Sequence, residues 1–270
     1  MQQVKVGQKA RIAVSDSGTG PALVALHAGV ADHRVWEGCQ TQWTADGWRV
    51  ISYDRRGFGQ SSWQPERFSH VDDLFAVMDA CAVDQAVLVG NSQGGRIAIE
   101  AALGAPQRVT GLVLVAPAIS GQPSMDPTTF SPQLTDLDKE LDVAEEAGDT
   151  PLVNELEARL WLDGPEQPQG RVGGPARDLF LDMNGRALSA PDVGEDIWDT
   201  SAWEQVDQLS APTLLITGAY DLAPMNDRLA QAAGRIPQVS QVQMQTAHLP
   251  MLEDPVSFLQ VVSPFLHRLR

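Results

Sequence analysis

Cysteine is scarce: 270 residues carry two, Cys39 and Cys81, with no metal-ligand spacing between them. No metal site is expected, and so sparse a usage suits a reducing, cytoplasmic location, with a disulfide between the two left open. Positive charge is also short. Nineteen Lys and Arg face 35 Asp and Glu, a net charge of −16, which argues against nucleic acid or an anionic membrane as a partner. Long apolar runs are missing. None approaches the roughly 20 residues that span a bilayer, and Met1–Val6 lacks the apolar stretch of a signal peptide. Repeats and low-complexity tracts are absent as well. What remains is a chain that is 43% hydrophobic, long enough for one large α/β domain or one domain with an insertion.

Short apolar runs alternate with helical spans. Val4–Ser15 predicts one or two antiparallel edge strands. Residues 22–26, 49–53, 86–89, 112–117, 212–217 and 239–245 predict further strands. Residues 22–26 (Ala-Leu-Val-Ala-Leu) are apolar throughout, the mark of a strand buried on both faces of a parallel sheet. Helices are expected within 36–48, over 72–82, from Ile97 to Leu103, and over 255–269. The expectation is an α/β fold with a doubly wound, mostly parallel sheet flanked by helices.

The centre of this pattern is Gly90-x-Ser92-x-Gly94, set between an apolar strand and a helix. A tight strand-to-helix turn lifts a serine hydroxyl off the sheet edge, and glycines leave room where a Cβ would collide. The helix start beneath it offers the Gln93 amide and a positive dipole to a developing oxyanion. A serine hydroxyl needs a base. Of five histidines, His33 and His70 fall on loops or helix starts and His267 in the last helix, whereas His248 directly follows the last strand, where ligands bind in open α/β sheets. Asp221, just past the preceding strand, is the carboxylate to orient it, although a helix cap is also open to that aspartate. The chain order Ser92, Asp221, His248 is that of the α/β-hydrolases.

Over its full length the chain resembles a lid-bearing α/β-hydrolase. The resemblance is carried by His27-Ala28-Gly29, Asp54-x-Arg56-Gly57-x-Gly59-x-Ser61, Gly90-x-Ser92-x-Gly94-Gly95, Gly218-x-x-Asp221, and His248 ahead of Glu253-x-Pro255. It implies a second oxyanion amide at Gly29 beside that of Gln93, a structural His27, and an architectural loop from Asp54 to Ser61. Ala28 and Ala247 stand where similar chains usually or often carry glycine. Relatives with an aspartate nucleophile cleave alkyl bonds, so the serine here implies acyl transfer without metal or organic cofactor.

Residues 119–204 break the rhythm, and the helical lid is expected there, after the sixth strand, with 1–118 and 205–270 as the core. This stretch holds 19 acidic and 5 basic residues, a net of −14, against −2 for the rest. Such a field is read first as a solvated surface, and alternatively as one that repels anionic substrates. Trp161, Phe180, Met183 and Trp198 are candidates for an apolar pocket wall or for the lid's own small core. The expected activity is hydrolysis of a small, neutral ester, with a small molecule as the only partner. Alternatives are carbon–carbon bond hydrolysis, enol-lactone opening or cofactor-free haloperoxidase chemistry with the same three residues, and, remotely, a ligand receptor with an idle triad.

Overall fold

The computed structural model describes residues 1–197 and 201–270. Its strands are β1 Gln2–Val6, β2 Ala10–Ser17, β3 Ala22–Leu26, β4 Arg49–Tyr53, β5 Ala86–Asn91, β6 Val109–Val115, β7 Thr213–Gly218 and β8 Val239–Met244. They form one sheet in the order β1-β2-β4-β3-β5-β6-β7-β8. From β4 to β8 all neighbours are parallel, and β2 runs antiparallel to both β1 and β4. The helices are α1 Glu37–Ala45, α2 His70–Ala80, α3 Gln93–Gly104, α4 Pro132–Glu146, α5 Thr150–Glu157, α6 Gly174–Leu188, α7 Ala202–Gln205, α8 Ala223–Ala233, α9 Pro250–Glu253 and α10 Pro255–His267.

The period-two alternation of the strands builds two apolar layers. Leu23, Ala25, Val87, Val89, Val113 and Val115 face Trp36, Trp43 and Phe258, on and around α1 and α10. Val24, Leu26, Leu88, Leu112 and Leu114 face Leu74 and Val77 of α2 and Ile97 of α3. Burial on both faces is why these strands read as unbroken apolar runs. α2 starts two residues before the expected Asp72, because Ser69 Oγ accepts from the Val71 and Asp72 amides and caps the helix there.

Between β6 and β7 the chain runs through α4, α5, a π-helical turn over Ala158–Asp163, and α6. Leu134, Leu137, Val153, Leu156 and Leu160 form a separate small apolar cluster, joined to the core side by Leu222. One pairing is absent from the sequence reading. Glu66–Phe68 and Gly194–Asp196 pair as short parallel strands outside the main sheet; three residues are too few to show an alternation. Ala202 and Val206 pack in the core layer under α3. Cys39 and Cys81 are free and buried rather than bridged, and no helix among the described residues is long and apolar enough to cross a membrane.

Candidate active site

Ser92 sits at φ 54°, ψ −115°, between the end of β5 and the start of α3. Strain of this kind costs about 1–3 kcal/mol and persists only where its surroundings hold it. Here the Ser92 amide donates to the Val115 carbonyl at 3.0 Å, and the Ser92 carbonyl accepts from the Arg96 and Ala118 amides, both at 3.0 Å. The two flanking glycines are required by close approach: a Cβ on Gly94 would strike the Leu26 carbonyl, and one on Gly90 the Gly94 carbonyl. The result is a half-buried serine at the carboxyl end of the sheet.

His248 lies at the same end, just beyond β8, and is buried. Its Nδ1 donates to Asp221 Oδ2 at 2.7 Å. A carboxylate partner fixes the proton on Nδ1 and leaves Nε2 as the basic nitrogen. Asp221 Oδ1 accepts from the Leu222 amide at 2.8 Å; the N-cap of α8 is Leu222, so the helix-cap role open to Asp221 is not taken. The loop is anchored twice more. Asn91 Nδ2, next to Ser92, donates to the His248 carbonyl at 3.1 Å and to the Val115 carbonyl at 3.0 Å. Glu253 Oε2 accepts from the Ala247 amide at 2.8 Å while Glu253 pairs with Arg171. Among the described residues no side chain hydrogen-bonds to the Ser92 hydroxyl. Chemically the arrangement can accept a proton from a serine, hold it on an imidazole and stabilise the charge with a buried carboxylate.

The loop after β3 supplies the other wall. His27 Nδ1 donates to the Ala28 carbonyl at 2.7 Å, and His27 Nε2 accepts from the Arg55 amide at 3.1 Å. Burial, then the nearby Arg55 charge, lower its pKa from 6.5 to about 3, so His27 is neutral and structural at working pH. Gly29 faces the Gln93 side chain, whose Nε2 lies 2.8 Å from where a Gly29 Cβ would stand. Neither Ala28 nor Ala247 adopts a positive φ, so alanine meets no backbone penalty where glycine is more usual.

A stability test follows from His27. In the unfolded chain it titrates near 6.5, so on acidification the unfolded state binds the proton first. The stability that depends on a neutral His27 is full above about pH 6.5 and drains as pH falls toward 3. His33 has the opposite sign. Burial opposes its charging, yet the Asp54 hydrogen bond raises its pKa, so its contribution is full below 6.5 and lost at higher pH. The urea midpoint should therefore drop less between pH 7 and pH 5 in His27→Gln than in the unaltered chain; an equal drop would refute the assignment.

The loop from Asp54 to Ser61 is held by its own contacts. Asp54 Oδ1 accepts from the His33 amide and Nδ1 at 3.0 and 2.6 Å, and Oδ2 from the Gln60 amide at 2.7 Å. Arg56 is ion-paired with Asp73 at 2.7 Å and Glu66 at 2.5 Å. Asp32, His33 and Asp54 thus meet in one buried cluster, but Asp32 is engaged by Arg34 and Asp54 accepts from three donors of its own loops, so the cluster reads as a brace for this loop. It had no sequence signal, because its members lie 21 residues apart or more in part and on two loops.

Of the residues weighed as a pocket wall, Trp161 stands against His248, ring centroids 4.7 Å apart, and its carbonyl accepts from the His248 amide at 3.2 Å. Phe180 and Met183 are wholly buried with Ala28, Ala31 and Val35, and the Asp32 amide donates to Met183 Sδ at 3.4 Å. They pack with the core layer, not in the separate helical cluster and not on an open surface. Trp198 lies outside the described residues.

A sequence profile described as alpha/beta hydrolase fold matches residues 21–255. The chain belongs to the α/β-hydrolase family. Among curated relatives of this α/β-hydrolase, the 2-hydroxymuconate semialdehyde hydrolase of Pseudomonas sp. (strain CF600) is 30% identical, over 95% of this chain and 90% of the relative. The 2-hydroxy-6-oxo-6-phenylhexa-2,4-dienoate hydrolase of Burkholderia cepacia is 26% identical, over 95% and 91%. Among solved structures, a thermophilic esterase from Thermogutta terrifontis superposes with a TM-score of 0.78 at 22% identity, covering 100% of this hydrolase and 99% of the esterase.

Proposed function

We propose that this α/β-hydrolase cleaves a small, neutral ester through an acyl-enzyme. Ser92 attacks the carbonyl, His248 takes its proton and returns it to the leaving alcohol, and Asp221 orients and stabilises the imidazole. The Gly29 and Gln93 amides hold the oxyanion, and water then releases the acid by the same steps reversed. The observation that carries this reading is the buried His248–Asp221 pair at 2.7 Å, tied through Asn91 to the strained serine turn. Helices α4 to α6 act as the lid, with Trp161 over His248 as its inner wall, and the enzyme works in the cytoplasm.

The second reading, carbon–carbon bond hydrolysis, is favoured by the kinship to the two curated hydrolases. The charge separates the two. The Burkholderia relative is named for a dienoate, an anion, whereas residues 119–204 here carry a net −14, a field that raises the cost of bringing an anion in. A fluorophosphonate should label Ser92, and p-nitrophenyl butyrate should give a burst of p-nitrophenol. The hemisuccinate ester should be hydrolysed more slowly than the butyrate, with the gap narrowing as salt screens the field. Absence of labelling at Ser92 would end the serine mechanism. A hemisuccinate preferred at low salt, or turnover of a vinylogous β-diketone acid far above that of the ester, would favour the second reading.

A further inference from the structure

The geometry points to Arg55 as the positioning residue of the oxyanion hole, an inference that rests on the serine-hydrolase reading above. Arg55 is 2% exposed and among the described residues is ion-paired with no carboxylate. A buried guanidinium is costly unless its charge is paired; this one spends its donors on two neutral carbonyl groups. Nη2 donates to the Ala28 carbonyl at 3.0 Å and Nη1 to Gln93 Oε1 at 3.0 Å. The Phe58 ring lies 4.5 Å from its guanidinium carbon. Nε has no partner.

Both carbonyls bear directly on the candidate donors. The Ala28 carbonyl belongs to the same peptide unit as the Gly29 N–H. It accepts from neutral His27 at 2.7 Å as well as from Arg55. Two donors on one carbonyl fix the plane of that peptide and polarise it, which strengthens the N–H at its other end as a donor. Gln93 carries the second amide at the start of α3. A cationic donor can only be met by Oε1, so Arg55 turns the carboxamide and lays Nε2 over Gly29, into the space a side chain at 29 would fill. One guanidinium therefore locks the loop after β3 to the first residue of α3, at the two points where an oxyanion needs donors that do not reorganise. This also accounts for Gly29: with any Cβ there, the Gln93 carboxamide would be displaced.

The test uses Arg55→Met, Arg55→Lys and Gln93→Met, each normalised to fluorophosphonate-titrated sites. Hydrolysis of p-nitrophenyl butyrate and inhibition by an alkyl trifluoromethyl ketone, whose hemiketal oxygen occupies the hole, are measured together. In Arg55→Met, kcat should fall about 10- to 100-fold, less than loss of a donor itself, with KM within about twofold. Affinity for the ketone should fall by the same factor as kcat/KM. Arg55→Lys should recover part of both, and Gln93→Met should lose less than Arg55→Met because the Ala28 contact survives. The pH dependence of kcat/KM should not move, since the His248–Asp221 pair is untouched. Unchanged kcat and ketone affinity in folded Arg55→Met, or a loss of kcat without a matching loss of ketone affinity, would overturn the inference. If Arg55→Met does not fold, wild-type values for both quantities in Gln93→Met and Arg55→Lys would overturn it instead. Failure of the unaltered chain to turn over the ester or to be labelled is a distinct outcome that removes the hydrolase reading and this inference together.

Discussion

Replacing Ser92 with alanine should lower kcat on p-nitrophenyl butyrate by about 10⁴- to 10⁶-fold, the range seen when a serine nucleophile is removed. In the proposed mechanism no hydroxyl then remains to form the acyl-enzyme, and only binding and the oxyanion donors persist. The fold should be unaffected, because the turn is held by the backbone bonds of residue 92 to Val115, Arg96 and Ala118 and not by its side chain. Glycine at the same position makes a sharper test. At φ 54° a Cβ is strained, and glycine is free to adopt that conformation. Ser92→Gly should be as inactive as Ser92→Ala yet more stable than it by about 1 kcal/mol in chemical denaturation. That pairing of lost activity with gained stability is what a backbone strained for function predicts. Equal stability of the two variants would mean that the turn carries no strain, and residual turnover above about 1% of normal would mean that Ser92 is not the nucleophile.

The strain was legible in the sequence because glycines two residues either side of a serine have few other uses between a strand and a helix. β3 and β4 were legible to the residue, since each is an apolar run flanked by turn residues or charge. Asp221 and His248 lie 27 residues apart, yet each directly follows a strand, and parallel strands deliver their carboxyl ends to one edge. Position relative to strand ends thus pointed to this pair where no spacing rule would. What escaped was decided by tertiary contact. Arg55 looks like any loop arginine in a chain; its burial beneath Ala28 and Gln93 follows from how two loops meet. Phe180 and Met183 have helical spacing that suits a lid core or a pocket wall, and no spacing rule shows that α6 packs them against Ala28 and Ala31. The ribbon at Glu66–Phe68 and Gly194–Asp196 is fixed by Asp196, which accepts from Arg96 Nη2 at 2.7 Å, a partner 100 residues away.

Asp221→Asn should cost about 10⁴-fold in kcat while leaving the fold intact, the loss associated with a wrongly held imidazole tautomer. The change preserves size in a site that is 6% exposed, and the amide oxygen can still accept from the Leu222 amide, which Oδ1 does now. The atom then facing His248 is an N–H2 group. It cannot accept from Nδ1, so the ring must turn its lone pair to Nδ1 and carry its proton on Nε2, the nitrogen that in the proposed mechanism receives the Ser92 proton. The hydroxyl loses its base although every side chain stays in place. Asp221→Ala should be less damaging than Asp221→Asn, because an unpartnered imidazole can still sample the productive tautomer. This ordering separates orientation from bulk electrostatics: if Asp221 acted only through its charge, the two neutral replacements would fall equally. The measurement is kcat on p-nitrophenyl butyrate together with the rate of fluorophosphonate labelling, since phosphonylation of Ser92 uses the same base. A loss below about tenfold in both quantities would remove Asp221 from the relay, and a drop in turnover with labelling unchanged would move its effect from activation of the serine to release of the acyl group.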